Sequence, residues 1–278
     1  MKVEGKTVLI TGANGGIGSC LAHELASAGA ALILVGRDQV SLARLRQALP
    51  FSARHRVQVC DLQSASGVQG LVNYCQSLSG GLDMLVNNAG MSDFTFVSAS
   101  DTEVTRALIE LNLTVPVTLT AALLPALMTR REAAVINVGS VFGSIGYPGF
   151  AVYGASKSGL RTFSEGLRRE LADSPVRVLY AAPRATRTPM NSSRVVAMNH
   201  ALGNAMDAPE KVAAAIAASV RYDRWGALGI GWPERLYVVL NNIFPRLTDR
   251  ALRRQLPQIR QFSRVPVSTR PLSEREAV

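Results

Sequence analysis

The chain has 278 residues, of which 47% are hydrophobic, so it can bury a sizeable core; this length suits one α/β domain with a short appendage better than two large domains. Its formal net charge of +10 is concentrated at one end, because residues 221–278 contain eleven Arg against five acidic residues and so contribute +6. No nucleic-acid-reading module with clustered Lys and Arg accompanies that charge, so we predict no nucleic-acid partner.

The cysteines and histidines give no metal-binding pattern. Cys20, Cys60 and Cys75 lack paired ligand spacing, and their odd number argues against a disulfide framework. Residues 1–16 lack the features of a signal peptide, and no uninterrupted apolar run reaches the roughly 18 residues that span a bilayer. We therefore expect a cytoplasmic protein without a metal, either soluble or peripheral to a membrane.

Short apolar runs alternate along the chain with longer segments of helical period. Continuous apolar runs are typical of parallel strands covered on both faces, and β-α alternation is typical of a doubly wound sheet. The pattern predicts a Rossmann-like α/β fold with a mostly parallel sheet and helices on both faces. The runs are TVLIT, ALILV, RVQVC, MLVNN, AVINV and VRVLYA, and the helical segments include residues 17–28 and 103–128.

A glycine-rich turn, TGANGGIG, follows the first run and opens a helical segment. Glycines allow a tight turn and close approach to a pyrophosphate, whose charge a helix N-terminus favours. Such a turn alone is a weak signal, but its strand-loop-helix context favours a dinucleotide. The candidate cofactor residues here are Gly12, Asn14, Gly15, Gly16, Ile17 and Gly18.

The second run ends in Gly36, where an NAD enzyme of this fold usually has an acidic residue that binds the ribose hydroxyls. Arg37 follows, and a guanidinium pairs bidentately with a 2′-phosphate. We therefore predict NADP(H) as the cofactor. In the alternative interpretation Arg37 is a solvated residue at a helix start and Asp38 contacts the ribose.

Tyr153 and Lys157 lie four residues apart, which places them on one face of a helix. A tyrosine with a pKa near 10 is a poor base at neutral pH, and a nearby cation favours its phenolate. Ser140 follows the fifth run, at the strand end where doubly wound sheets bind ligands. Alone, these residues are equally consistent with a surface helix and a turn serine.

The order of the motifs carries more information than each motif does. The glycine-rich turn, Asp61, the Asn-Asn-Ala-Gly segment at 87–90, Asn112, Ser140 and Tyr153 with Lys157 occur at the approximate spacing of the short-chain dehydrogenase/reductase family. The chain resembles this family from about residue 6 to residue 219. The resemblance implies a mostly seven-stranded sheet and a homodimer or homotetramer built partly on the helices of Asn112 and Tyr153.

The resemblance also assigns catalytic roles. It implies that Tyr153 exchanges a proton with the substrate oxygen, that Lys157 holds the nicotinamide ribose and lowers the tyrosine pKa, and that Ser140 polarises the carbonyl. Asn112 matches the asparagine of a water relay, a role that suits it physically because Pro116 lacks the N–H that would bond to its carbonyl. The remaining implied cofactor contacts are Asp61, Leu62, Asn88, Ala89, Gly90, Pro183 and Thr188.

These residues predict an NADPH-dependent oxidoreductase that transfers a hydride between nicotinamide and a carbonyl or secondary alcohol, with a hydrophobic ketone as substrate. Reduction of a β-ketoacyl thioester is the alternative, with Arg184, Arg187 or the arginines after residue 220 meeting an acidic carrier or its phosphate. A non-catalytic NADP(H)-binding sensor or scaffold is the alternative outside enzymes.

One position departs from the family pattern. Arg184 follows Pro183 where the family has glycine, so a positive φ there would strain the loop that receives the nicotinamide carboxamide.

Two segments outside these motifs complete the prediction. Residues 190–206 are mainly small and polar with scattered Met and Val, which suits either a lid over the substrate or an ordinary surface connection. We divide the chain into a catalytic domain at residues 1–220 and a basic amphipathic extension at residues 221–278. The extension carries Leu236, Leu240, Ile243 and Leu247 on one helical face. That face fits a membrane interface, a subunit boundary or packing on its own domain.

Overall fold

The computed structural model describes residues 1–263. Within this range seven strands form one parallel sheet in the order β3-β2-β1-β4-β5-β6-β7. The strands are β1 (Thr7–Thr11), β2 (Ala31–Gly36), β3 (Arg56–Val59), β4 (Met84–Asn87), β5 (Ala133–Val138), β6 (Val176–Pro183) and β7 (Gly226–Ile230).

Helices connect the strands and cover both faces of the sheet. They are α1 (Gly16–Ser27), α2 (Gln39–Ala48), α3 (Ala65–Gln76), α4 (Thr102–Ile109), α5 (Val115–Met128), α6 (Ala151–Glu170), α7 (Ser193–Ala201), α8 (Pro209–Arg221), α9 (Glu234–Ile243) and α10 (Pro245–Gln261). A π-helical turn, Glu110–Thr114, joins α4 to α5.

Successive side chains of a strand point to opposite faces of the sheet, so the sheet has a hydrophobic core on each face. In β1, Val8 and Ile10 pack in the cluster that contains α1 and α8, while Leu9 packs in the cluster that contains α3 and α5. Both faces of the strand are therefore buried, which explains why the runs are continuously apolar rather than alternating. The predicted Rossmann-like fold is confirmed, and all six apolar runs form strands.

The seventh strand was not identified in the sequence. β7 pairs with β6 along Leu179–Pro183, so the sheet continues past residue 220 into the segment that sequence analysis assigned to the extension. The rest of the described extension is two helices, α9 and α10, rather than one. Residues 264–278 of the predicted extension lie outside the described residues.

One helix, Thr102–Met128, is long and apolar enough by composition to cross a membrane. It forms when α4, the π-helical turn and α5 run on without a break. Leu119, Leu123 and Leu127 on it are fully buried against the sheet, and Asn112 is buried below the cavity described in the next section. It is therefore a core helix of this domain.

A buried polar network links the middle strands to the helices behind them. The Asn87 amide donates to Thr120 Oγ1 at 3.0 Å and to Asn137 Oδ1 at 2.8 Å, and the Asn137 amide donates to Ser164 Oγ at 2.8 Å. All four side chains are at most 3% exposed. The network fixes α6 relative to β4 and β5.

Replacing Asn137 with Ala should destabilise the domain by about 2 to 4 kcal/mol, because the Asn87 amide and the Ser164 hydroxyl each lose a buried partner. Urea unfolding measures the change. The matched control is Asn73→Ala at an exposed position of α3, which should cost less than about 1 kcal/mol. Equal losses in the two variants would contradict a structural role for the network.

Candidate active site

Strands β1 to β3 are added toward one edge of the sheet and strands β4 to β7 toward the other, so the strand order reverses between β1 and β4. Such a reversal opens a crevice beyond the carboxyl ends of the strands. A cavity of about 600 Å³ occupies this place. With the exception of Asn112, every catalytic and cofactor residue proposed from the sequence lines it.

The backbone of the glycine-rich turn lines the cavity, and its two ends, Gly12 and Gly18, lie close together. A Cβ on Gly18 would lie 2.2 Å from the carbonyl oxygen of Gly12, so only glycine fits there. The first helical turn of α1 thus reaches the cavity, where its N-terminal N–H groups suit a phosphate.

Thr11, which sequence analysis did not single out, holds the next loop in place. Its Oγ1 accepts hydrogen bonds from the backbone N–H groups of Asn88 and Ala89 at 3.0 and 3.1 Å. The Asn88 amide in turn donates to the carbonyls of Thr11 and Gly12 at 2.9 and 3.0 Å. The glycine-rich turn and the loop after β4 therefore form one rigid unit.

The end of β2 presents Arg37 and Asp38 differently. The carboxylate of Asp38 caps α2, accepting from the N–H groups of Val40 and Ser41 and from the Ser41 hydroxyl. These hydrogen bonds lower the pKa of Asp38. Arg37 is exposed at the cavity wall, and no carboxylate of residues 1–263 lies within salt-bridge distance of it.

Three of the predicted catalytic side chains meet at the opposite end of the cavity. Tyr153 lies in the first turn of α6, half-buried, and Lys157 lies one turn later with its Nζ 6.0 Å from the centre of the tyrosine ring. Lys157 Nζ donates to the carbonyl of Val138 at 3.0 Å. Ser140 follows β5 directly, and its Oγ accepts from Phe142 N at 3.1 Å, which leaves the hydroxyl hydrogen available to donate.

Burial sets the protonation of this group. It raises the pKa of Tyr153, and a hydrogen bond with Ser140 opposes that rise. Burial also lowers the pKa of Lys157 to about 8, because the ammonium group loses its water. The raised pKa keeps Tyr153 protonated at neutral pH. The implied lowering of the tyrosine pKa by Lys157 stays a prediction.

Asn112 lies behind the cavity rather than in its wall. Its side chain accepts from Met91 N and donates to Met91 O, both at 2.9 Å, and also donates to Ser156 Oγ at 3.1 Å. It therefore joins the π-helical turn to the loop after β4 and to α6.

Tyr180 is a further residue that the sequence did not reveal. Its hydroxyl is buried below the Ser140 loop, where it accepts from Ser140 N and donates to the carbonyls of Ser140 and Lys157, each at 3.3 Å. A tyrosine inside an apolar strand run gives no sequence signal for this role.

Arg184 is not strained. Among residues 1–263 only Phe51 and Asp223 combine a side chain with positive φ, so the concern raised by the missing glycine is wrong. The guanidinium forms a bidentate pair with Asp207 at 2.8 and 2.9 Å and contacts Glu234 at 3.2 Å. Its side chain is only 10% exposed, so it is not displayed to an acidic carrier.

The segment proposed as a lid contains helix α7. Val195, Met198 and Asn199 of this helix line the cavity, as do Met190 and Asn191 before it. The hydrophobic side chains of α7 pack with Phe94, Phe150 and Ile259. The segment thus covers one side of the Tyr153 end.

The chain is similar to known proteins in sequence and in fold. Residues 6–199 match the family model for short chain dehydrogenases. The ketoacyl reductase HetN of Nostoc is 31% identical over 220 residues, which span 78% of this chain and 76% of HetN. The 3-oxoacyl-acyl-carrier-protein reductase FabG of Vibrio cholerae is 30% identical over 222 residues, spanning 78% and 90%. A short-chain dehydrogenase from Streptomyces avermitilis superposes with a TM-score of 0.77 at 27% identity, covering 88% of this chain and 96% of that one.

The fold, the site and these matches together show that the chain belongs to the short-chain dehydrogenase/reductase family of oxidoreductases.

The Arg184–Asp207 pair gives a test of how the loop after β6 is held. Arg184 and Lys211 hold the pKa of Asp207 at about 2, below its ordinary 3.8, so the ionised carboxylate stabilises the fold at pH 7. That contribution is present above about pH 4 and is lost as the pH falls toward 2. Asp207→Asn should therefore cost about 2 kcal/mol at pH 7, and its difference from wild type should shrink in acid.

Urea unfolding at several pH values between 7 and 3 checks this expectation. Asp249→Asn, at an exposed position of α10, is the control and should change little at any pH. A deficit for Asp207→Asn that stays constant with pH would contradict the ionic contribution.

Proposed function

We propose that the chain is an NADPH-dependent carbonyl reductase and secondary alcohol dehydrogenase. The observation that carries the proposal is that Tyr153, Ser140 and Lys157 share one cavity with a glycine-rich turn whose closed geometry suits a pyrophosphate. A dinucleotide would be held by the turn, by the loop after β4 and by Lys157, with Asp61 and Leu62 at the adenine and Pro183 and Thr188 at the carboxamide.

The protein's own groups act on the substrate oxygen. Bound NADPH supplies the hydride. The Tyr153 hydroxyl donates its proton to the oxygen that becomes the alcohol, and its raised pKa keeps that proton in place at neutral pH. The Ser140 hydroxyl donates a hydrogen bond to the same oxygen and stabilises its negative charge.

Tyr153→Phe removes the proton donor and leaves the ring, so turnover should fall by at least about a hundredfold while NADPH affinity stays within about twofold of wild type. The assay uses NADPH absorbance with medium-chain ketones, steroid ketones and β-ketoacyl thioesters, and fluorescence titration measures NADPH binding. Tyr222→Phe, at an exposed tyrosine, is the control.

Turnover of Tyr153→Phe at the wild-type rate would refute the assignment. Failure of the wild-type protein to reduce any member of the panel, with NADPH bound, would favour the non-catalytic sensor instead.

The preference for NADPH rests on the end of β2. Asp38 is committed to capping α2, which weakens its candidacy as a ribose ligand, and Arg37 is exposed beside it. A guanidinium without a carboxylate partner in the described chain suits the 2′-phosphate of NADPH.

Arg37→Leu should weaken NADPH binding by about tenfold to a hundredfold, because a charge-assisted contact worth about 1.5 to 3 kcal/mol is lost, and should leave NADH binding unchanged. Titration of both nucleotides with Arg37→Leu and with the exposed control Arg44→Leu measures the effect. Loss of affinity for both nucleotides, or for neither, would contradict the assignment of Arg37 to the 2′-phosphate.

We further propose a hydrophobic ketone as the substrate. The surface of the cavity as a whole is mostly apolar. Near Tyr153 the rings of Phe142, Tyr147 and Phe150 pack with their centres within 6.2 Å of one another. The apolar lining residues at this end are Met91, Val141, Phe142, Phe150, Met190, Val195 and Met198.

Reduction of a β-ketoacyl thioester remains the second candidate, favoured by the similarity to HetN and FabG. Arg187, which is exposed between the cavity-lining residues Thr186 and Thr188, is available to an acidic carrier, whereas Arg184 is not. The relative turnover of ketones and thioesters in the same panel separates the two.

We also propose a cytoplasmic homodimer or homotetramer, in keeping with the family resemblance. The three cysteines are free thiols, which suits a reducing compartment.

A further inference from the structure

Helix α9 carries an apolar stripe that faces away from the domain. Leu236, Val239 and Ile243 recur at intervals of three and four residues, so they share one side of the helix. Their exposed fractions are 41%, 51% and 61%, and the flanking Trp232 and Phe244 are 69% and 54% exposed. We call these five residues the α9 apolar face. A helix packed on a soluble domain normally turns such a stripe inward.

The polar side of α9 contacts the rest of the domain. Glu234 pairs with Arg184 at 3.2 Å, and Asn241 donates from Nδ2 to the carbonyl of Ser144 at 3.2 Å. These two residues are seven positions apart, two helical turns, and they lie opposite the apolar stripe. These two contacts fix the rotation of α9 about its own axis. The α9 apolar face therefore points away from the domain.

The segment that carries this face is rich in basic residues. Residues 231–263 contain six Arg and two acidic residues, and one of the acidic residues, Glu234, is already paired with Arg184. On α10, exposed Arg250 and Arg254 continue the helical line of Leu247, which is itself 58% exposed. The surface next to the α9 apolar face is therefore strongly positive.

We propose that the α9 apolar face docks on a lipid bilayer that contains anionic lipids. Apolar side chains flanked by Arg fit an interface in which acyl chains meet negative headgroups. Trp232, with an apolar ring and a polar N–H, suits the headgroup level.

The same charges disfavour a second copy as the occupant. A two-fold contact places the same patch of each copy on the other, so it would bring two positively charged surfaces together. A bilayer with anionic lipids supplies the complementary charge instead.

Docking here would place the membrane on the outer side of α9, with the substrate end of the cavity on the domain side of the same helix. α9 contacts the segment after Ser140 through Ser144, while Gln258 of α10 donates to the carbonyl of Ala201 at the end of α7 at 3.1 Å. The extension therefore touches two walls of the Tyr153 end. Delivery of an apolar ketone from the membrane is a consequence that rests on the proposed function, whereas docking itself does not.

Co-sedimentation of the full chain with vesicles tests the proposal. The vesicles are phosphatidylcholine alone and an equimolar mixture of phosphatidylcholine and phosphatidylglycerol. Wild type should pellet with the mixed vesicles, more weakly with phosphatidylcholine, and less in high salt because the Arg contribution is screened.

The decisive variant is Val239→Glu with Ile243→Glu, which should bind mixed vesicles at least about tenfold more weakly because two apolar contacts are lost and two negative charges are added. The matched control is Val97→Glu with Met128→Glu, which adds the same charge at exposed apolar positions elsewhere and should bind within about twofold of wild type. Circular dichroism checks that both variants keep the wild-type fold.

Equal loss of binding in the two double variants would overturn the proposal, as would failure of wild type to pellet with either vesicle. Light scattering examines the competing occupant: if Val239→Glu with Ile243→Glu converts an oligomer to a monomer while vesicle binding is unchanged, the face joins two copies and the proposal is wrong. Pelleting needs no turnover, so the result is independent of the substrate assays.

Discussion

The hydrogen bond from Lys157 Nζ to the carbonyl of Val138 is the interaction on which the site depends most. It joins α6, which carries Tyr153, to the end of β5, which leads into Ser140. Lys157 is 5% exposed and burial lowers its pKa, so holding its ammonium group there as a cation costs free energy. A ligand that places oxygen atoms beside the ammonium would offset this cost, so binding and catalytic geometry are coupled through a single side chain.

The layers of the domain follow from residue patterns that are visible in the sequence. A strand covered on both faces is apolar at nearly every position, and β1, β2, β4 and β5 are therefore easy to find. β7 is different. Its sequence, GALGI, is short, contains two glycines and lies at the sheet edge, so burial places little demand on its composition. This segment is a strand because it pairs with β6, and no pattern within its own residues indicates that pairing.

The candidate site, like the fold, has residues that the sequence could predict and contacts that it could not. The positions of Tyr153, Lys157, Ser140 and the glycine-rich turn could be predicted because their spacing along the chain is tied to local structure and matches a known family. The partners of Arg184 could not be predicted, because Asp207 and Glu234 come from segments 23 and 50 residues away. The strain expected at Arg184 was inferred from the missing glycine alone, whereas the backbone has negative φ and the guanidinium is held by two carboxylates.

The packing of α10 on α7 restricts how the segment over the Tyr153 end of the cavity can move. Ile259 is fully buried in the same apolar cluster as Val195 and Met198, and the Gln258 amide binds the carboxyl end of α7. The segment over the Tyr153 end therefore cannot swing as a free loop, because its opening has to uncover Ile259 or carry α10 with it. Motions of whole packed helices take microseconds to milliseconds rather than nanoseconds, so opening of this segment is slow compared with the motion of a free loop.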